Sequence, residues 1–454
     1  MRELFQKHRT IWMMLAMALL MACFGKLAFF TDRSAFGELI LFFGLGFMGY
    51  AIVLQLKLSM KWLIAVAIFS RLIFLFSIPA LSDDYFRFIW DGLLSLNGIN
   101  PFFELPSYYM QEGAPEVSGI TKALFDHLNS PNYFTIYPPV NQLTFALGAL
   151  GYSGNDFLVS VVLMRLVLLF GEGLTIVYLI KICKHVGIDE RKSMIYALNP
   201  LIIVELVGNL HFEAMMIAFL CMAIYHYLKG KLDLSAVFFA LSVNSKLLPL
   251  MLLPLLLPRL GWIKSIRYYA IVGGLTLLCF TPFLSLEMIE HLSNSINLYF
   301  KSFEFNASLY YIVRWIGYEV TGYNIIAYAG RSLSLAVVIS IFWMTFHPKY
   351  KQTPMIQLMF WAFACYLFAS TIVHPWYIST LVFFAVMLRY QFPIYWSGLA
   401  LLSYAAYQTD AYVENLWLVG LEYMVVFGVM GWEVWKGNTK PLTLLNRNDF
   451  IMKN

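Results

Sequence analysis

The sequence predicts an all-α polytopic integral membrane protein with about 12–14 transmembrane helices, on three observations. Hydrophobic residues make up 60% of the 454-residue chain and charged residues only 13%, where a soluble domain carries about 45–50% and roughly 25%. Apolar runs of about 20 residues recur from end to end, the length that crosses a bilayer core as a helix. Lysine and arginine gather in alternate connections between the runs, as repeated crossing under the positive-inside rule requires.

Taken in order, spans are expected near 11–30, 36–56 and 61–80. Arg2, Lys7 and Arg9 in the head, with Lys57 and Lys61 in the second connection, set the N-terminus in the cytoplasm. No small-residue cleavage site closes the first run, so it reads as an uncleaved helix. Three crossings then carry residue 83 to the outer face. The interval 81–155 is polar and aromatic, apart from an apolar stretch at 137–151. As a helix that stretch reaches about 22 Å against a core of about 30 Å, so it is expected to be interfacial or re-entrant. Further spans follow at 156–182, 193–208, 212–228, 232–246, 247–258 and 266–284, then a second outer loop and four or five more spans. Lys349, Lys351, Arg389, Lys436 and Lys440 fall on the inner side. The chain thus divides into N-terminal transmembrane helices (1–80), an outer catalytic loop with interfacial helices (81–155), and a transmembrane core (156–284). A second outer loop (285–323) and C-terminal transmembrane helices with a cytoplasmic tail (324–454) complete it.

The five cysteines lie in or beside apolar runs, at spacings that suggest neither a disulfide framework nor a zinc site. The net charge of +5 reports topology rather than a nucleic-acid partner. No cofactor and no metal is called for.

The stretch LSDDYFRFIWDGLLSLNGINPF (81–102) opens the longest polar interval. On a helix, Asp84, Arg87, Phe88 and Asp91 fall at i, i+3, i+4 and i+7 and share a face. Capping is one account: Ser82 as N-cap, both aspartates in the first turn, and Asp83 paired with Arg87. It explains Asp83 well, but not so many ionisable groups beside Trp90 at a membrane edge. Acid–base chemistry is the other account. A sugar hydroxyl attacks an anomeric carbon poorly, and a carboxylate within reach accepts its proton as the bond forms. One base suffices for inversion, whereas retention needs a nucleophile close to the donor.

His211 and Glu213 sit in a short turn between two short spans, with Glu205 and Asn209 nearby. Polar groups at membrane depth are costly and mark sites or pathways. They read as sugar-binding residues, or else as groups that satisfy freed backbone; a metal needs more ligands. Lys246, at a hairpin apex, is a partner for a phosphate or a snorkelling side chain. Arg331 and His374 are candidates for the same pocket. Arg71, Arg165 and Glu172 fall within spans and read as structural, with an internal Arg71–Glu172 ion pair. Trp90 and Trp376 suit either stacking on a sugar or an interfacial belt.

The runs SDDYFRFIWDG and GINPF, then IYPP (136–139), YALNPLIIVELVGNLHFEA (196–214), SKLLPLMLLPLLLP (245–258) and HPWY (374–377), resemble the polyprenyl-phosphate-sugar-dependent glycosyltransferases of the GT-C superfamily. The resemblance is to bacterial α-mannosyltransferases of glycosyltransferase family 87 and the mycobacterial α-1,6-mannosyltransferase type. It implies a membrane enzyme that moves a hexose, mannose above all, from a polyprenyl-phosphate sugar donor to a lipid or lipid-linked glycan acceptor. The family's base is an Asp in the first outer loop, followed by a variable and then an aromatic residue. Asp83 and Asp84 both fit, and alignment through Arg87 and Asp91-Gly92 favours Asp84. The implied binding residues are Arg87, Trp90, Asp91, Tyr137, His211, Glu213, Lys246, Arg331, His374 and Trp376. The implied setting is a bacterial inner membrane with both termini cytoplasmic and the site periplasmic. The first two spans look additional to the minimal family layout. The rival is a lipid or sugar transporter, which would share the spans but show internal repeats. Convergence of Asp84, His211, Glu213 and Lys246 on one cavity separates the two.

Overall fold

Helices supply the regular structure throughout the computed structural model, which describes residues 9–437 apart from 57, 155 and 410. Among the described residues β-pairing is confined to two isolated bridges, Ser153–Asp156 and Phe305–Ile372. Arg2, Lys7, Lys57 and Lys440, which carry part of the topology reading, lie outside the described residues. Six helices are long and apolar enough to cross a bilayer, or seven if one sharply bent pair counts as a span. The protein is an all-α, polytopic integral membrane protein. The sequence count of 12–14 includes apolar runs that fold as short or broken helices.

The first two helices, α1 (Arg9–Phe29) and α2 (Phe36–Gln55), form an antiparallel hairpin. Its turn is closed by Asp32, whose Oδ1 accepts from the Ser34 N–H at 2.8 Å. Helix α3 (Met60–Leu72) is short and gives way to an irregular passage through Pro79. Helix α4 (Asp84–Leu96) follows and is buried along most of its length. It crosses α5 (Pro139–Ala149) so closely that a Cβ on Gly92 would lie 2.2 Å from the Phe145 carbonyl oxygen. Only glycine permits that approach. Pro139 opens α5, where its missing N–H is no loss. With 11 residues, α5 reaches only about 16 Å, the short helix the sequence predicts.

Helix α6 (Leu158–His185) is a long span that carries Arg165 and Glu172 in its buried face. The ion pair expected from the sequence is present: Arg71 donates to Glu172 Oε2 from Nε at 3.2 Å and Nη2 at 2.7 Å. Tyr196 donates to the other carboxylate oxygen at 2.7 Å. Arg165 instead donates to four carbonyls, those of Leu75, Ser77, Val207 and Gly208, at 2.6–3.0 Å. It therefore joins the passage before α4 to the end of a π-helical segment, Ile202–Gly208. That segment and α7 (Glu213–Leu228) meet at 111° across a four-residue break. Wide helical turns of this kind are rare and gather at functional sites.

Helix α8 (Leu232–Ser245) ends at Lys246. A 3₁₀ stretch, Leu248–Leu256, then leads into α9 (Leu257–Phe280), because Pro254 cannot supply the α-helical donor. The second loop folds as α10 (Leu286–Ser302) and α11 (Leu309–Thr321). Next come α12 (Ile326–Phe346), α13 (Met355–Ala369), a run of short helices and α14 (Leu416–Trp435). Phe305 pairs with the strand-like segment before His374, accepting from Val373 N at 2.8 Å and donating to Thr371 O at 3.0 Å.

Candidate active site

The N-terminus of α4, the turn before α7, the end of α8 and the HPWY segment meet around one cavity of about 840 Å³. Asp84, Arg87, Tyr137, His211, Glu213, Lys246, His374 and Trp376 all line it. The sequence placed these residues in five separate stretches, and the fold brings them together.

Asp84 is the first residue of α4, where the helix dipole favours a carboxylate. Its Oδ1 accepts from Asn129 Nδ2 at 2.8 Å. The other acids of the lining are already matched to cations: Glu213 with Lys246, and Glu304 with Arg314. Among the described residues, Asp84 is thus the lining's only carboxylate without a cationic partner. Lys246 also stands over the Tyr377 ring at 4.1 Å, a geometry in which the ring face attracts the ammonium.

Arg87 acts on the loop rather than on open space. Its Nε donates to Asp91 Oδ1 at 2.8 Å, and its Nη1 donates to the carbonyls of Ser130 and Tyr133 at 3.1 and 2.8 Å. It pins the loop that presents Asn129 to Asp84. Burial, with the nearby Asp84 charge second, pushes the Tyr137 phenol well above its ordinary value, so it stays a hydroxyl donor.

Four residues selected from the sequence lie elsewhere. Asp83 is drawn away by Arg33 at 2.6 Å. The helix begins one residue later than capping by Ser82 would require, and the expected Asp83–Arg87 pair gives way to Arg87–Asp91. Asp91 is fully buried beneath Arg87 and also accepts from Gln142 at 3.3 Å. Trp90 is fully buried against Tyr109 and Phe125, so it offers no face to a sugar. Arg331 is exposed on α12, outside the lining. Trp376 does line the cavity, yet both faces of its indole are covered. His211 stacks on it at 3.6 Å and His374 at 4.3 Å, with no ring contact between the two imidazoles. It is a spacer between histidines rather than a sugar platform. Burial, then His211 and Lys246, push His374 down to about 3.

Sequence reasoning missed Asn129, Asn141 and Glu304. Asn141 donates to the Ser245 carbonyl at 2.9 Å, which holds the residue before Lys246. Nothing in a single sequence marks an asparagine whose partner lies 104 residues away.

The remaining wall is apolar. Leu248 and Met251 come from the 3₁₀ stretch, Leu298 from α10, and Val337, Val338 and Ile341 from α12. On α12, Val338, Leu335 and Ile339 are 47–59% exposed, and α12 is one of the six spans. This helix therefore has the cavity on one side and an exposed apolar surface on the other.

The cavity thus joins a polar end, where Asp84 among the described residues lacks a cation, to a mostly apolar wall. The pattern of the alpha-(1->6)-mannopyranosyltransferase N-terminal domain family matches residues 8–262. The chain belongs to this family and is a membrane glycosyltransferase of the mannosyltransferase class. The match begins at residue 8, just ahead of α1, so the first two helices are part of the family region rather than additions to it. No curated protein matches the chain.

Proposed function

We propose that the protein transfers mannose from a polyprenyl-phosphate donor to a lipid or lipid-linked glycan acceptor, with inversion. The observation that carries this reading is Asp84, among the described residues the one lining carboxylate without a cation, in a cavity whose wall includes an apolar, outwardly exposed span. The acceptor hydroxyl gives its proton to Asp84 as its oxygen bonds to the anomeric carbon. The bond from that carbon to the phosphate oxygen breaks, and the polyprenyl phosphate leaves with the electron pair. Lys246 faces the charge that develops on it, exchanging part of its contact with Glu213 for the phosphate. Tyr137, His211 and Glu213 hold sugar hydroxyls. The polyprenyl tail lies along Leu248, Met251 and Val338. The site faces the periplasm of a bacterial inner membrane, with both termini cytoplasmic and 81–155 as the outer catalytic loop.

The donor is tested by offering purified protein in liposomes labelled polyprenyl-phosphate mannose or GDP-mannose, with a total lipid extract as acceptor. Label is expected to pass to lipid from the first donor alone. Transfer from the nucleotide sugar, or from neither, contradicts the reading.

A further inference from the structure

The π-helical segment that leads into the turn before α7 contains a buried carboxylate that the reaction above does not use. Glu205 is completely buried. Its Oε1 accepts from Tyr404 Oη at 3.0 Å and its Oε2 from Asn209 Nδ2 at 3.4 Å. Asn209 in turn accepts from the Leu81 N–H at 3.1 Å, just ahead of α4. Buried acids elsewhere in this half of the molecule face arginine or lysine, but Glu205 faces an imidazole: His211 Nε2 lies 3.3 Å from Oε2. That nitrogen is enclosed, out of line for a hydrogen bond to Oε2 and without any other partner. Catalytic contacts are often long or poorly aligned until substrate binds.

The backbone is bent to make this approach. Leu210 holds φ at 60°, a left-handed conformation that side chains with a Cβ rarely adopt. The His211 N–H returns to the Glu205 carbonyl at 3.4 Å. Trp376, stacked on the imidazole at 3.6 Å, keeps the ring from swinging away. Strain of this kind persists only where the surroundings over-determine it, and it gathers at working sites.

We infer that Glu205 is a positioning residue that holds the His211 proton on Nε2 and leaves Nδ1 as a hydrogen-bond acceptor toward the cavity. A carboxylate behind an imidazole fixes which ring nitrogen carries the proton. A fixed acceptor discriminates: it receives a substrate hydroxyl and leaves an unmatched group when that hydroxyl is missing or turned away. Only this last step, the sugar hydroxyl as donor to Nδ1, rests on the proposed glycosyl transfer.

The test is ¹⁵N NMR of the histidine-labelled full chain in nanodiscs, with the His211 signals identified by their loss in His211→Gln. Wild type is expected to show a protonated Nε2 and a bare Nδ1. Glu205→Gln is expected to abolish or reverse that preference, and Glu205→Asp to keep part of it. Tyr404→Phe, which removes the other support of Glu205, is expected to leave it in place. With labelled donor, Glu205→Gln is expected to raise KM on the order of tenfold with kcat less affected. A bare Nε2 in wild type overturns the inference even if Glu205→Gln does not fold, as does an unchanged tautomer in that variant. The expected tautomer in a protein that transfers no sugar would sink the glycosyl-transfer reading and leave the Glu205–His211 assignment standing.

Discussion

The two halves of the molecule stabilise buried acids by different means. In the family region, Glu205 apart, Glu172 meets Arg71, Asp91 meets Arg87 and Glu213 meets Lys246. Beyond it, Glu422 accepts from Asn306 Nδ2 at 3.1 Å and Trp396 Nε1 at 2.7 Å, and Glu433 accepts from the Gln391 N–H at 2.7 Å. The half-buried Glu414 likewise accepts from the Asn306 N–H at 2.6 Å and from the Tyr311 hydroxyl. The cavity shows the same division. The family region contributes Asp84, Asn129 and Lys246 with Leu248 and Met251. The remainder contributes Leu298, Val338 and the His374–Trp376 pair, with Glu304 as its one acid among the described residues. Most of the charged groups come from the first half, and most of the apolar wall from the second.

Substitutions test that division, starting with the largest effect. Arg71→Met leaves Glu172 buried without its cation. It is expected to cost about 3–5 kcal/mol of stability, read as a lowered melting temperature in detergent. A melt like that of wild type would show that the first half does not depend on ionic pairing. Val338→Trp narrows the apolar wall without touching the charged end. It is expected to raise KM for a long-chain donor about tenfold, equivalent to ~1.4 kcal/mol, and to alter kcat little. A short-chain donor is expected to feel it less, and equal effects on both would remove the tail from this wall.

The smallest effect concerns pH. Burial raises the Glu414 carboxyl above its ordinary value, outweighing the donors that stabilise its charge. A carboxyl whose folded pKa exceeds its unfolded one gives stability that is full below the unfolded value, near 4.5. That stability is lost as pH rises through the folded value. Glu414→Gln is therefore expected to flatten the melting temperature above pH 4.5, where wild type declines. A decline that persists unchanged in the variant would assign it to other groups.

Much of the fold was legible because composition and run length report a bilayer directly. The Arg71–Glu172 pair was legible too, since charges inside apolar runs must find one another. The breaks were not. The run through Ile202 reads as a span, but the π-helical turn at its end depends on Arg165 drawing four carbonyls together, which no local pattern announces. The site divided the same way. Alignment with Arg87 favours Asp84 over Asp83, whereas the pairing of Asp83 with Arg33, 50 residues distant, has no local signal. The covering of both faces of Trp376 by His211 and His374 is likewise a tertiary fact. Helical spacing correctly put Asp91 on the Asp84 face, yet that face turns into the protein one turn further along.

The central claim is that the uncompensated carboxylate, Asp84, is the base. The most direct measurement is sugar transfer by Asp84→Asn and Asp83→Asn side by side, with donor binding measured for each. The account predicts that Asp84→Asn binds donor as wild type does and transfers sugar 10²–10⁴-fold more slowly, the usual worth of a general base, roughly. Asp83→Asn loses only a part-exposed ion pair, at a cost of no more than about 1 kcal/mol in stability, and keeps turning over. Loss of transfer in Asp83→Asn, with Asp84→Asn still active, would contradict it.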